Sequence, residues 1–186
     1  MILRSQHGSG DRHRAFIAIE VPRCKVPENI LEEIGSIRQL RPVRTPSFHL
    51  TLHFLGDMEI PALKSVTENI STVKFPPFQA SLCGMGAFPR PADARVVFAK
   101  IRESGYLDKL HSQIMEAIGK TDDREFIPHV TIARSSGRLD LREFCHRYES
   151  FKRDFQVENF FLFLSTLTNR GPIYEKVSEI SSKGQA

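Results

Sequence analysis

The chain has 186 residues, of which 40% are hydrophobic and 26% charged, enough apolar material for one compact domain with a buried core. No stretch approaches the roughly 18 apolar residues of a membrane span, and the N-terminus lacks the apolar centre of a signal peptide, so we expect a cytoplasmic protein. The cysteines, Cys24, Cys83 and Cys145, form no closely spaced pair, which argues against a disulfide framework or a structural zinc site. The net charge of +4 permits a polyanionic partner without implying one.

Hydrophobic periodicity predicts an α+β protein in which helices pack outside an antiparallel sheet. Residues 1–13 lack apolar periodicity and are predicted to be a disordered leader or a cloning remnant; a single domain over 14–180 and a tail over 181–186 follow. Strands are predicted over 15–21, 47–55, 78–87, 94–101, 126–134 and 173–180, and 155–164 is an apolar segment too hydrophobic for a surface. Helical spacing predicts four helices, around 30–40, 63–73, 107–118 and 139–148.

Two of the predicted strands carry the same short pattern, a histidine and a threonine separated by one aliphatic residue. Because alternate side chains of a strand project to opposite faces, each His and Thr should share a polar face. In the first strand the predicted polar face holds His49, Thr51 and His53, and the predicted core face holds Leu50, Leu52 and Phe54. In the second strand His129 and Thr131 are on the polar face.

A single His-x-Thr motif is most simply a solvated strand face, but two copies favour chemistry. Two imidazoles on polar strand faces suit general acid–base catalysis, in which one group removes a proton while the other donates one. The threonine hydroxyls next to them are suited to bind phosphoryl oxygens. The pattern thus nominates His49 and His129 as acid and base, without assigning the two roles, and Thr51 and Thr131 as oxygen ligands.

Further segments outside the two motifs extend this pattern, and together they resemble the two-histidine (2H) phosphoesterase superfamily. Within it, the chain is similar to the archaeal and bacterial RNA 2′,3′-cyclic phosphodiesterases, also called 2′-5′ RNA ligases, over roughly residues 14–180. The segments that carry the resemblance are Arg14–Glu20, Phe48–Gly56, Gly84–Pro89, Pro128–Arg134, Ser165–Thr168 and Gly171–Glu175.

The resemblance implies a bilobal fold in which two pseudo-symmetric antiparallel sheets, each carrying one motif, flank a positively lined cleft. It implies no metal and no cofactor, and it adds Arg134 as a phosphate-binding residue. It also implies that the 3′ oxygen is expelled to leave a 2′-phosphomonoester, with the first-motif histidine usually drawn as proton donor and the second as acceptor. At His53 the chain departs from the family, in which lysine is frequent.

Other residues are weaker candidates for contact with an RNA substrate. Strand geometry puts His53 beside His49, and Phe48, Phe126 and Tyr174 are aromatic residues near the motifs, although packing is the simpler interpretation of all three rings. Four arginines are candidate contacts to flanking phosphates: Arg41, Arg44, Arg90 and Arg95. We expect a monomer that acts on RNA with 2′,3′-cyclic phosphate ends.

Three alternatives remain open at the level of sequence. Zinc held by His49, His53 and His129 would make a metal-dependent hydrolase, although neither motif contains the carboxylates usual in such sites. A non-catalytic RNA-binding module would use basic and aromatic residues alone. Finally, an RNA 5′-hydroxyl that replaces water would give a 2′-5′ linkage at the same histidines.

Overall fold

The computed structural model describes residues 13–121, 125–168 and 171–182. Nine strands and four helices lie within these ranges, together with two short 3-10 turns at Arg23–Lys25 and Pro91–Asp93. The elements are β1 (His13–Pro22), α1 (Glu28–Ser36), β2 (Leu40–Pro42), β3 (Ser47–Met58), α2 (Ile60–Ile70), β4 (Phe78–Phe88), β5 (Ala94–Arg102), α3 (Tyr106–Ala117), β6 (His129–Leu139), α4 (Arg142–Arg147), β7 (Lys152–Val157), β8 (Asn159–Thr168) and β9 (Gly171–Ser181). None of the described helices is long and apolar enough to cross a membrane.

The strands form one antiparallel sheet built from two equivalent halves. Its order is β7-β4-β5-β6-β3-β1-β8-β9, with the short strand β2 added to β6. The unit β1-α1-β3 in one half corresponds to β5-α3-β6 in the other, and the halves meet where Leu50 of β3 pairs with Val130 of β6. The expected α+β architecture with two pseudo-symmetric antiparallel parts is therefore confirmed, and the two expected sheets are joined edge to edge in one.

The two faces of the sheet differ in what covers them. The helices bury their apolar sides against one face, where Leu50, Val130 and alternate residues of β1, among them Ile17 and Ile19, belong to the main core. Each large side chain fully buried there contributes on the order of 1.5–3 kcal/mol of transfer free energy. The opposite face carries a second, smaller cluster of buried apolar residues: Phe16, Ala18, Phe161 and Phe163. This second face, left uncovered by the helices, is here called the open face.

Several helix and strand boundaries in the structure differ from the predicted ones. The apolar segment 155–164 is divided at Glu158, because β7 ends at Val157 and β8 begins at Asn159, and the two strands lie far apart in the strand order. β6 begins at His129, not at 126, and β2 is too short to produce a periodic signal. The first described strand begins at His13 and the last ends at Ser181; most of the predicted leader (1–13) and tail (181–186) lies outside the described residues.

Two bulges, each directly after a His-x-Thr motif, change which side chains reach the open face. In β3, Thr51 pairs with Ala18 and His53 pairs with Ile17, so one extra residue stands between them. In β6, Thr131 pairs with Phe98 and Ala133 pairs with Val97, again with one extra residue. A bulge of one residue reverses the alternation of the strand beyond it.

Candidate active site

The two His-x-Thr motifs meet at the seam between the halves of the sheet. Leu50 and Val130 pair there and are completely buried on the core side. Continuing this antiparallel register by one residue in each direction sets His49 opposite Thr131 and Thr51 opposite His129. All four side chains are half-buried and lie on the open face. The structure therefore brings together the four residues that the motif nominated, and each imidazole neighbours the threonine of the other motif.

His49 stands in a box of aromatic rings. The centroids of Phe163, Tyr174 and Phe16 lie 4.8, 4.9 and 5.8 Å from that of the imidazole, and all three rings meet it nearly edge-on. Burial in this apolar setting lowers the pKa of His49 from 6.5 to about 4. A general acid must carry a proton at the working pH, and burial among these rings disfavours the protonated form of His49 at pH 7.

Two charged residues next to His49 act on its pKa in opposite directions. Glu20 is the cross-strand partner of His49, and its carboxylate raises the pKa of the imidazole, although less than burial lowers it. Lys176 forms an ion pair with Glu20 at 2.6 Å, lies 4.2 Å from the Phe161 ring centroid, and lowers the pKa of His49. The imidazole is therefore neutral at pH 7 but has a carboxylate beside it that favours its protonated form.

His129 is oriented by a hydrogen bond to the backbone. Its Nδ1 lies 2.8 Å from the carbonyl oxygen of Ile127. Because a carbonyl only accepts, Nδ1 carries the proton, which leaves the Nε2 lone pair available in the neutral ring. On the neighbouring strand β5, Lys100 is directly opposite His129, so their Cβ atoms are expected about 4.5–5.5 Å apart.

The ring surroundings of the two histidines are related by the pseudo-symmetry of the sheet. His49 meets a stacked pair, Phe16 and Phe163, whose centroids are 5.1 Å apart. His129 meets a second stacked pair, Phe88 and Phe98, whose centroids are 4.2 Å apart. Both imidazoles are thus held edge-on against apolar platforms, but the charge facing His49 is a carboxylate and the charge facing His129 is an ammonium.

Arg134 reaches the open face because of the bulge in β6. Regular alternation predicts that it points away from His129, five positions earlier, but its cross-strand partner is Val96, which lies on the same face as Phe98. The side chain is exposed and near enough to Tyr174 to counteract the burial that raises the pKa of that phenol. On its other side Arg134 pairs with Arg41 of β2. Two like charges opposite each other are unfavourable, which suits a site that receives an anion between them.

Tyr174 lies against His49, whereas two other proposed substrate contacts are not on the open face. The bulge in β3 turns His53 towards the core side, where it pairs with Ile17 and its Nε2 atom is buried. Phe48 is only 1% exposed and packs under the Arg23 guanidinium. The structure therefore does not bring His53 or Phe48 to the face that carries the two motifs.

The same bulge places Phe54, which the alternation pattern assigned to the core, on the open face. Phe54 pairs with Phe16 and is 65% exposed. Phe126, the remaining aromatic candidate, stacks on the buried His111 at 4.3 Å, as expected for a packing residue.

The three imidazoles considered for zinc do not converge, because His53 lies across the sheet from His49 and His129. Within the described ranges, no group of three or more His, Cys, Asp or Glu side chains is placed to hold a metal ion.

The sequence pattern did not indicate three residues that border the site: Glu20, Phe54 and Lys100. Glu20 and Lys100 each follow apolar residues in a strand. A charged residue at a position where the strand pattern predicts an apolar one could have identified both. Phe54 gave no such signal, since an aromatic residue among aliphatic residues normally belongs to the core. Of the remaining arginines, Arg44, Arg90 and Arg95 are exposed.

Comparison with known proteins identifies relatives over most of the chain. A family model described as the 2′-5′ RNA ligase superfamily matches residues 26–167. An RNA 2′,3′-cyclic phosphodiesterase of Archaeoglobus fulgidus is 34% identical over 171 residues, covering 87% of this chain and 96% of the relative. One from Thermus thermophilus is 30% identical, covering 92% of this chain and 91% of the relative. Escherichia coli LigT in its apo form has the same fold, with a TM-score of 0.75, 24% identity and coverage of 92% and 98% of the two chains.

Proposed function

The chain belongs to the 2′-5′ RNA ligase superfamily, and we propose that it hydrolyses 2′,3′-cyclic phosphodiester ends of RNA to 2′-phosphomonoesters at the paired His-x-Thr site. The relatives at 34% and 30% identity are named RNA 2′,3′-cyclic phosphodiesterases and align over nearly their full length. The observation that carries the proposal for the site is the meeting of His49 and His129 on one face at the seam, each beside the threonine of the other motif.

In the proposed reaction His129 is the general base. Its Nδ1–H is held by the Ile127 carbonyl, so the Nε2 lone pair is available to take a proton from water as the water oxygen attacks phosphorus.

His49 is then the general acid that protonates the departing 3′ oxygen. Since its pKa is about 4 in the free protein, the proton must be taken up in the complex with the substrate, where an anionic phosphodiester beside the imidazole stabilises the imidazolium. Glu20 acts in the same direction. Each acid or base role is typically worth about 10²–10⁴ in rate.

Neighbouring hydrogen-bond donors and cations would stabilise the negative charge that develops on the non-bridging oxygens. The hydroxyls of Thr51 and Thr131 would donate one hydrogen bond each, and Arg134 and Arg41 would supply guanidinium groups. Tyr174, which packs against His49, would help to fix the acid. We further propose that the protein works as a monomer in the cytoplasm, with its free cysteines reduced.

The test is the hydrolysis of cytidine 2′,3′-cyclic phosphate and of an RNA with a cyclic end, in excess chelator, with identification of the product phosphate. We expect a 2′-phosphomonoester, and near-complete loss of activity in His49→Ala and in His129→Ala while the folded spectrum is retained. The matched control is His146→Ala, which changes an exposed histidine on α4 and should keep activity. Robust turnover by either single variant of the pair would refute the assignment.

A further inference from the structure

Lys176, on the last strand, lies at the rim of the aromatic box around His49. Its cross-strand partner in β8 is Phe163, whose ring meets the His49 imidazole edge-on at a centroid distance of 4.8 Å. Because residues paired across antiparallel strands project to the same side of a sheet, the Lys176 side chain lies on the open face. This side chain is 47% exposed. The ammonium of this long, flexible residue is therefore not locked in place by packing.

Two contacts hold the Lys176 ammonium in the ligand-free protein. Its Nζ atom lies 2.6 Å from Oε2 of Glu20 and 4.2 Å from the centroid of the Phe161 ring. Phe161 and Phe163 belong to the apolar cluster of the open face, so the lysine side chain reaches from β9 across β8 to β1. Glu20 is in turn the cross-strand partner of His49. The carboxylate beside His49 is therefore neutralised by a lysine from two strands away.

The charges around His49 oppose one another. The Glu20 carboxylate favours the imidazolium, Lys176 disfavours it, and burial disfavours it most, so the pKa of His49 in the ligand-free protein is about 4. The other titratable or charged groups that the described strands bring to this part of the open face are Tyr174 of β9 and His129 and Arg134 of β6. As long as Lys176 is paired with Glu20, much of the support that the carboxylate gives to the imidazolium is cancelled.

The proposed reaction needs the opposite charge state at His49. A general acid must carry a proton when the phosphodiester is in place. The phosphodiester also offers Lys176 a new partner, because its non-bridging oxygens are anionic and an ammonium on a flexible four-carbon stem can donate to them. The ion pair with Glu20 competes weakly, since a pair of partly exposed charges contributes little net free energy. Transfer of the ammonium from Glu20 to the phosphodiester is therefore favourable.

We propose that Lys176 is a positioning residue that exchanges partners when the substrate binds: its ammonium leaves the Glu20 carboxylate for the anionic phosphodiester, and the released carboxylate then holds the proton of His49. This inference rests on the proposed function, because it requires an anionic phosphodiester between the two motifs. The proton comes from solvent and is bound together with the substrate, and the exchange moves one side chain without breaking a covalent bond. Substrate binding thus produces the protonated acid that the ligand-free protein disfavours at neutral pH.

The first experiment follows the His49 ring by NMR as the pH is lowered, in the ligand-free protein. Lys176→Met should raise the pKa of His49 from about 4 by about one unit, because it removes a cation and releases Glu20. Lys176→Arg, which keeps the cation, should leave this pKa low. The matched control is Lys109→Met on α3, which also removes an exposed lysine lying over an aromatic ring, here Tyr106 at 5.8 Å, and should change nothing at His49. If Lys176→Met behaves like Lys109→Met, Lys176 does not govern His49 and the proposal is overturned.

The second experiment repeats the titration with a saturating inhibitor, a cytidine 2′,3′-cyclic phosphonate in which a methylene group replaces the 3′ oxygen. The bond that the reaction breaks is then a phosphorus–carbon bond and stays intact. Binding should raise the pKa of His49 in the unaltered protein and, by about one unit less, in Glu20→Gln and in Lys176→Met. A carboxylate that stayed paired with Lys176 would act equally on the free and the bound protein, so the rise would be the same with and without it. Equal rises in the unaltered protein and in Glu20→Gln would therefore overturn the proposal.

Two further measurements separate the exchange from a structural role of Lys176 and from the proposed function. Lys176→Met should weaken binding of the phosphonate about tenfold, because one charge-assisted hydrogen bond is lost, and Lys176→Arg should restore most of the affinity. An unchanged affinity in Lys176→Met, or no binding by the unaltered protein, would overturn the exchange. Hydrolysis of cytidine 2′,3′-cyclic phosphate by the unaltered protein is measured in parallel. Its absence would refute the proposed function, whereas hydrolysis together with equal rises in the pKa of His49 would refute the exchange alone.

Discussion

Replacement of His49 by asparagine should remove most of the pH dependence of stability that comes from this residue. The folded protein lowers the pKa of His49 to about 4 because the imidazole is buried among Phe16, Phe163 and Tyr174. In the unfolded chain the value returns to its ordinary 6.5. Above pH 6.5 the ring is neutral in both states, so it contributes no pH dependence there.

The sign and size of the effect follow from proton binding. As the pH falls below 6.5 the unfolded chain takes up a proton that the folded protein excludes until about pH 4, so the free energy of unfolding decreases through this window. A shift of one pKa unit corresponds to about 1.4 kcal/mol, which gives a total loss of about 3 kcal/mol, of which about 2 kcal/mol is reached by pH 5.

The assay is urea unfolding at pH 7.5 and at pH 5.0. The free energy of unfolding of the unaltered protein should drop between these two conditions by about 2 kcal/mol more than that of His49→Asn. His146→Asn is the matched control, because the His146 side chain is 80% exposed and its replacement should retain the full drop. Equal losses of unfolding free energy by His49→Asn and by the unaltered protein between the two pH values would contradict a pKa lowered by burial.

Three further outcomes follow from the site. Phe48→Ala should lower the free energy of unfolding by about 3–5 kcal/mol because the ring is buried. Phe54→Ala should change it by less than about 0.5 kcal/mol and should instead raise KM for RNA. Urea unfolding and kinetics on both variants separate the two effects. Glu20→Gln should move the limb of the pH profile of kcat/KM that lies near pH 4 to lower pH, because a carboxylate that raises the pKa of His49 is lost; an unmoved limb contradicts this. Arg134→Gln and Arg41→Gln should each weaken RNA binding and reduce its salt dependence by about one phosphate contact, and an unchanged salt slope would exclude that arginine from the site.

The secondary-structure elements and the faces of the two His-x-Thr motifs could be predicted from the sequence, because both depend on local periodicity. Alternation at His49-x-Thr51 and at His129-x-Thr131 predicts the faces correctly, since both motifs end before their bulges begin. The predicted helices and strands appear in the same order, and only the short β2 and the break at Glu158 were missed. A three-residue strand has no period to detect, and a break between two buried strands is visible only once their partners are known.

The surroundings of the site were not predictable from the pattern because they come from residues far apart in the chain. The low pKa of His49 arises from rings contributed by β1, β8 and β9, and the difference between Glu20 and Lys100 depends on pairing across strands. Neither motif contains these residues. Strand periodicity indicates which side chains share a face, but not which charges and rings face them.

The two bulges explain why regular alternation assigns the wrong faces to the residues that follow each motif. They act at equivalent positions in the two halves of the sheet. Each bulge adds one residue directly after a motif threonine, so the fifth residue after the histidine takes the place on the open face that the fourth or sixth would have in a regular strand. In β6 that residue is Arg134; in β3 it is Phe54, while His53 turns to the core side. Phe54 and Arg134 are thus structural equivalents in the two halves, one aromatic and one cationic. A site with a cation at one equivalent position and an exposed ring at the other is suited to a substrate that is itself asymmetric, with an anionic phosphodiester on one side and a base on the other.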